Sequence, residues 1–252
     1  MLGIFDWGIG GVSIHKLIKE RLGDIPVIYF SDTGVTPYGK MSRSELIARL
    51  RRVIGFLRSN GVTHLVIGCN AASTAIEHLD PQGLKIIGMI EGGVAAAMKA
   101  KPTRLGLIGG RRTVLSGAYL RAFASKGIAV DQRIAQPLSA LIESGDTSSA
   151  KLKKECERIL APIRNCSHIL LACTHYPAIR NVIRECVSES TELIDPATEI
   201  VKRMAKWKIR PKGLNLFFTT GDSLQMQKSA LAAFDIEIGK TISLDASTFL
   251  RK

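Results

Sequence analysis

Leu65-Val66-Ile67-Gly68-Cys69-Asn70-Ala71-Ala72-Ser73 is a run of apolar residues that reaches a cysteine and then turns polar. Far along the chain, Ile169-Leu170-Leu171-Ala172-Cys173-Thr174-His175-Tyr176-Pro177 repeats the pattern. A short apolar run bounded by turn-forming residues reads as a buried parallel strand. Each cysteine is therefore expected at the C-terminal end of a strand, with helical pattern following. Open α/β sheets bind their ligands at that end. The two thiols are expected to face one another across one cleft.

Around these two stretches, strands and helices alternate. Strands are expected at Leu2–Phe5, Pro26–Phe30, Leu84–Gly88, Arg104–Ile108, Ile128–Val130, Glu192–Ile194 and Leu214–Thr219. A helix from Ser42 to Ser59 carries a capping-box pattern, Ser42 with Glu45. Further helices are expected over Thr113–Tyr119, over Ser149–Arg164 and from Ser223. Glu91-Gly92-Gly93 marks a crossing between lobes. Such alternation argues for parallel sheets covered by helices. Early in each half a strand runs into a glycine-rich turn (Gly8-Ile9-Gly10-Gly11; Gly109-Gly110) and then a helix, and later a strand ends in Cys. The expected architecture is two similar α/β lobes, each a mainly parallel sheet flanked by helices, with the active site in the cleft between them. Residues 1–92 plus 210–252 form the first lobe and 93–209 the second.

Bulk composition narrows the function classes. The chain has 252 residues, and no apolar run approaches the roughly 18 needed to span a membrane. The N-terminus enters a strand at once, so neither a signal peptide nor a membrane role is expected and the location is read as cytoplasmic. The five cysteines are odd in number and contain no Cys-x-x-Cys pair, which indicates neither a disulfide framework nor a structural zinc site. Cys156, Cys166 and Cys186 read as structural or incidental. The net charge of +13 favours an anionic partner, either an acidic metabolite or a polyanion. Lys202, Arg203, Lys206, Lys208, Arg210 and Lys212, with Trp207 among them, read as a solvated basic face; a nucleic-acid patch with a stacking aromatic is the alternative.

Two facing thiols permit a specific chemistry. A thiolate accepts a proton and a thiol donates one near neutral pH if the environment tunes them. Placed on opposite sides of one carbon, they remove a proton from one face and return one to the other, which inverts the centre without a cofactor. The carbanion of an amino acid needs stabilisation, which helix N-termini and loop amides beside the cysteines could supply to the carboxylate. Asp6, ending a neighbouring strand, could bear on the substrate amino group or on Cys69. His175, two residues from Cys173, could tune that thiol or relay its proton.

Several segments recur in a familiar order: Gly3-Ile4-Phe5-Asp6, Gly8-Ile9-Gly10-Gly11-Val12-Ser13, Pro37-Tyr38-Gly39, Cys69-Asn70-Ala71-Ala72-Ser73, Ile86-Ile87-Gly88-Met89-Ile90-Glu91, Thr113-Val114-Leu115-Ser116-Gly117-Ala118-Tyr119 and Cys173-Thr174-His175-Tyr176-Pro177. Together they resemble the glutamate racemase branch of the aspartate/glutamate racemase family nearly end to end. The resemblance implies two α/β lobes, no pyridoxal phosphate or other cofactor, no metal, a homodimer, and D-glutamate supply for peptidoglycan. It implies catalytic roles for Cys69 and Cys173, assisted by Asp6 and His175. It also implies substrate contacts from Pro37, Tyr38, Gly39, Asn70, Thr113 and Thr174, and, by a looser match, an acidic residue at Glu143.

Two positions depart from the family pattern. Trp7 stands where the family has Ser, and Ala71 where it has Thr. Hydrogen bonds to a charged group are worth roughly 1.5–3 kcal/mol each, so losing two weakens transition-state binding by about 3–6 kcal/mol, or about 10² to 10⁴ in rate. Three outcomes follow: Trp7 points out of the cleft and glutamate activity is intact, the pocket is reset for another amino acid, or the chain is a degenerate member acting as a basic binding protein.

Two further enzyme readings compete. The glycine-rich turn, with Asp32 ending the second strand about 20 residues past Gly10, partly matches a dinucleotide fold but lacks the third glycine. A Cys173–His175 nucleophile pair would suit a hydrolase, but leaves Cys69 without a role.

Overall fold

A computed structural model describes residues 1–209 and 213–247. Among the described residues ten strands, β1 (Leu2–Asp6), β2 (Val27–Ser31), β3 (His64–Ile67), β4 (Lys85–Gly88), β5 (Leu105–Gly109), β6 (Val130–Ile134), β7 (His168–Ala172), β8 (Glu192–Ile194), β9 (Leu216–Thr219) and β10 (Thr241–Ser243), form two sheets. The first has the order β10-β9-β2-β1-β3-β4 and the second β6-β5-β7-β8. Every described pairing is parallel.

The strand order fixes where the site lies. In the first sheet β1 has β2 on one side and β3 on the other, with Phe5 beside both Phe30 and Ile67. The chain thus leaves β1 in one direction and returns on the other side of it. In the second sheet β5 sits between β6 and β7 in the same manner, Ile108 lying beside both Arg133 and Leu171. Each half has a topological switch point, and the loops after β1, β3, β5 and β7 open there. Those loops begin with Asp6-Trp7, Gly68-Cys69, Gly110 and Cys173-Thr174.

The central strands carry the apolar runs because both their faces are covered. All five residues of β1 and of β5 are buried. One apolar cluster joins residues of both sheets, including Ile4 and Val66 from the first and Ile108 and Leu171 from the second. Cys156 and Cys166 belong to that cluster, and Cys186 packs against it half-buried, which agrees with structural roles.

The helix Arg43–Ser59 starts as its sequence dictates. Ser42 Oγ accepts from the Glu45 amide and the Glu45 carboxylate accepts from the Ser42 amide. Elsewhere the boundaries shift. Residues 91–93 lie inside the helix Met89–Ala100, which carries the chain from the first sheet to the second. A Cβ on Gly92 would meet Ile200 Cδ1 at 2.5 Å, so this glycine lets the helix press on Pro196–Met204. The expected helix over Thr113–Tyr119 is two helices, Arg111–Leu115 and Ala118–Ala124, separated at Gly117, whose φ of +67° suits glycine. The helix expected to reach Arg164 ends at Leu160, where Ala161-Pro162-Ile163 tightens into a 3₁₀ turn, since proline lacks the next amide donor. The strand expected at Ile128–Val130 runs instead through Val130–Ile134, an edge strand whose polar residues hid it.

Among the described residues no helix is long and apolar enough to cross a membrane. Of the basic run, Arg210 and Lys212 lie outside the described residues. Trp207 is no free stacking platform, because its ring packs against His64 at 5.1 Å and against the apolar core.

Candidate active site

A cavity of about 710 Å³ opens between the two switch points. Asp6, Trp7, Pro37, Tyr38, Gly39, Cys69, Asn70, Ala71, Thr113, Cys173, Thr174 and His175 all line it, and so do Glu143 and Lys40. The twelve residues singled out in the sequence therefore share one cavity.

The two thiols have different neighbours. Cys69 is the residue before the short helix Asn70–Ser73 and is buried. Burial, followed by the adjacent Asp6 carboxyl, pushes its thiol well above the usual range. Asp6 is itself 1 % exposed, and burial raises its carboxyl despite the counter-charge of His175. Thr174 Oγ1 donates to Asp6 Oδ2 at 2.6 Å and the Trp7 amide to Oδ1 at 2.7 Å. On this wall the proton is held.

Cys173 is half-buried, with Sγ 3.6 Å from His175 Nδ1. His175 Nε2 lies 2.6 Å from Glu143 Oε2. Burial alone would lower this imidazole, but the bonds to Cys173 and Glu143 raise it well above its ordinary value. His175 is thus set between a sulfur and a carboxylate, surroundings that favour the protonated ring. The Ile9 amide also donates to Glu143 Oε2, at 2.9 Å. A Cβ on Gly8 would overlap that carboxylate, and one on Gly10 would lie 2.7 Å from both Asp6 Oδ2 and His175 Nδ1. The glycine-rich turn is therefore a close approach of backbone to the acid–base groups, and no phosphate cradle need be invoked for it.

Other lining residues are held from behind. Tyr119 Oη donates to Asn70 Oδ1 at 2.8 Å, while Asn70 Nδ2, fully buried, has no partner among the described residues. The Pro37–Gly39 segment is fixed through Tyr38, whose hydroxyl donates to Asp32 Oδ2 at 2.5 Å. Arg49 takes the same carboxylate in a bidentate pair at 2.7 and 2.5 Å, and Thr220 Oγ1 donates to Oδ1 at 2.9 Å. All of Asp32's lone pairs serve this network, which removes the ribose contact on which a dinucleotide reading depended. From the second sheet's side, Arg112 donates to the carbonyls of Tyr38 and Met41 at 3.2 and 2.7 Å.

Trp7 is among the residues that line the cavity and also packs against an apolar core cluster. Its indole N–H donates away from the cavity to the Val35 carbonyl at 3.1 Å. Trp7 and Ala71 thus give the cavity bulk and a methyl where hydroxyls were expected. Cys173 and His175 do pair, as a hydrolase would need, but Cys69 lines the same cavity beside Asp6. Among the described residues no group of three or more His, Cys, Asp or Glu is arranged to hold a metal ion.

Comparison with known proteins agrees with this geometry. The sequence matches the Asp/Glu/hydantoin racemase family over residues 10–204. The chain belongs to that family. Among the racemases, the glutamate racemase of Desulforudis audaxviator is 36 % identical over 208 residues, covering 80 % of this chain and 76 % of its own. That of Limosilactobacillus reuteri is 31 % identical over 244 residues, 91 % of each chain. The crystal structure of a glutamate racemase isoform from Bacillus anthracis superposes with a TM-score of 0.87 at 25 % identity, covering 98 % of this chain and 97 % of its own. The two-lobed α/β architecture is that of this racemase.

Sequence reasoning alone did not reach Arg112, Tyr119, Asp32 and Arg49 as supports of the site. Their partners lie up to 197 residues away and no local pattern announces them. Glu143 was signalled only by the looser family match; it is the last residue of the helix Gln136–Glu143.

Proposed function

We propose that the protein is a cofactor-independent amino-acid racemase with glutamate as its favoured substrate, and that Cys69 and Cys173 are its two acid–base groups. The observation that carries this reading is the opposite setting of the two thiols in one cavity. Burial and Asp6 favour the proton-bearing form of Cys69, whereas Cys173 lies beside His175, whose protonated form is favoured by its partners. For one enantiomer, Cys173 takes the α-proton while the Cys69 S–H delivers one to the opposite face; for the other enantiomer the roles reverse. Asp6 supports the Cys69 side and His175, oriented by Glu143, the Cys173 side.

The α-carboxylate must be held while negative charge grows on the α-carbon. Asn70 Nδ2 is a buried donor lacking a partner among the described residues, and leaving such a group unpaired is costly, so it suits the substrate carboxylate. Thr113 and Thr174 line the same space. D-glutamate made here would feed peptidoglycan precursors, and the reading includes a cytoplasmic homodimer, which sedimentation of the purified protein tests. Trp7 and Ala71 favour a second reading, in which the pocket prefers another amino acid.

Proton NMR in D₂O with L- and D-glutamate, aspartate and a panel of other amino acids separates these readings. Loss of the α-proton signal with glutamate supports the first. Loss only with another amino acid supports the second, and no exchange with any sinks both. Cys69→Ser and Cys173→Ser should each abolish racemisation, with one variant retaining exchange from a single enantiomer; full activity in either refutes the two-base scheme.

A further inference from the structure

We infer that Lys40 is a specificity-determining residue that receives the second carboxylate of a dicarboxylic substrate, an inference resting on the amino-acid reading of the cavity. Four charged side chains line this space: Asp6, Glu143, His175 and Lys40. Three of them are committed. Asp6 is bonded by Thr174 and the Trp7 amide, and Glu143 and His175 bind one another. Among the described residues Lys40 forms no ion pair and no side-chain hydrogen bond. It is thus the lining cation left for an incoming anion.

Its backbone is not free to wander. The Lys40 amide donates to the Pro37 carbonyl at 2.7 Å, closing a turn. Arg112 grips the carbonyls on both sides of it, Tyr38 and Met41, and Tyr38 is tied to the buried Asp32–Arg49 pair. The chain therefore presents Lys40 at the mouth of the cavity from a fixed base, with an exposed side chain long enough to fold over a bound ligand. One carboxylate has Asn70 Nδ2 inside the cavity, and the second has the ammonium at its rim. Lys40 in this way replaces hydrogen bonding that Trp7 and Ala71 do not supply.

The test compares wild type, Lys40→Gln and Lys40→Arg in racemisation kinetics and in calorimetric binding of D-glutamate and D-glutamine. Lys40→Gln should raise KM for glutamate and weaken D-glutamate binding roughly ten- to hundred-fold, the range expected for one charged hydrogen bond. Its kcat should change far less. The preference for D-glutamate over D-glutamine should fall by the same factor, and Lys40→Arg should retain most of it. An unchanged preference in Lys40→Gln overturns the inference even if racemisation is intact, as does a wild type that binds no D-glutamate. A wild type that binds D-glutamate with a Lys40-dependent preference, yet exchanges no α-proton, keeps the inference and rejects the racemase reading.

Discussion

Glu143 lines the cavity and holds His175 Nε2, so its substitution tests how far tuning of His175 matters to proton transfer. Glu143→Gln keeps the shape of the side chain but takes the anion from Nε2, 2.6 Å away. Loss of a group that tunes an acid–base residue typically lowers rate by about 10²-fold, and that fall in kcat is expected here, in stopped-time assays from both enantiomers. The same substitution has a signature in stability. His175 has a folded pKa above its unfolded value, so its bonds stabilise the native state fully below about pH 6.5 and progressively less as pH rises through the folded value. Thermal unfolding followed from pH 6 to 9.5 should show this alkaline decline in wild type, and a smaller one in Glu143→Gln. At this scale much of the site was legible: Cys69, Cys173, Asp6 and His175 sit at strand ends, where local pattern points. The role of Trp7 was not legible, because which way an indole turns depends on the Val35 carbonyl, 28 residues on.

Two elements carry the site from behind. The helix Met89–Ala100 lies so close to Tyr119 that a Cβ on Gly93 would meet its hydroxyl at 2.5 Å and Cε1 at 2.9 Å. Tyr119 is fully buried and cannot step aside cheaply. Gly93→Ala is expected to cost about 1–3 kcal/mol by overpacking. It should also lower kcat/KM by more than its stability loss explains, since Tyr119 orients Asn70; urea unfolding alongside kinetics at a temperature where the variant is folded checks both. The second support is the pair Asp32–Arg49, 0 % and 6 % exposed. Arg49→Ala strands a buried carboxylate and should destabilise by about 3–5 kcal/mol in urea. Sequence pattern located nearly all of the strands, because apolar runs of five report burial on both faces. It misjudged elements that tertiary context divides, as at Gly117, and the polar edge strand β6, whose exposed face breaks the apolar run.

Across the whole molecule, hydrogen bonds between the two sheets' loops gather at the cavity: Thr174 to Asp6, the Ile9 amide to Glu143, and Arg112 to the 38–41 turn. Arg112 is the one of these remote from the reacting groups. Arg112→Ala removes two donors from the 38–41 turn and should raise KM about tenfold or more with a much smaller effect on kcat, the mark of lost binding common to ground and transition states. Ligand-induced thermal stabilisation by D-glutamate should shrink with it. The repeated switch-point topology was legible in outline from the repeated strand–turn–helix and strand–Cys order. The fit of one half to the other was not, since it depends on side chains such as Glu143 meeting backbone such as Gly8 and Ile9. The unequal neighbours of the two thiols carry a kinetic consequence. Each inversion would leave the protein as its own mirror in protonation, with the proton on Cys173 and none on Cys69, the less comfortable arrangement for a thiol so deeply buried beside Asp6. On the two-cysteine scheme the free protein would have to shed and regain a proton before processing the same enantiomer again. When substrate is abundant this recovery would become the slow step, and a catalyst of a reaction with no net energy drop would carry a short memory of the last molecule it turned over.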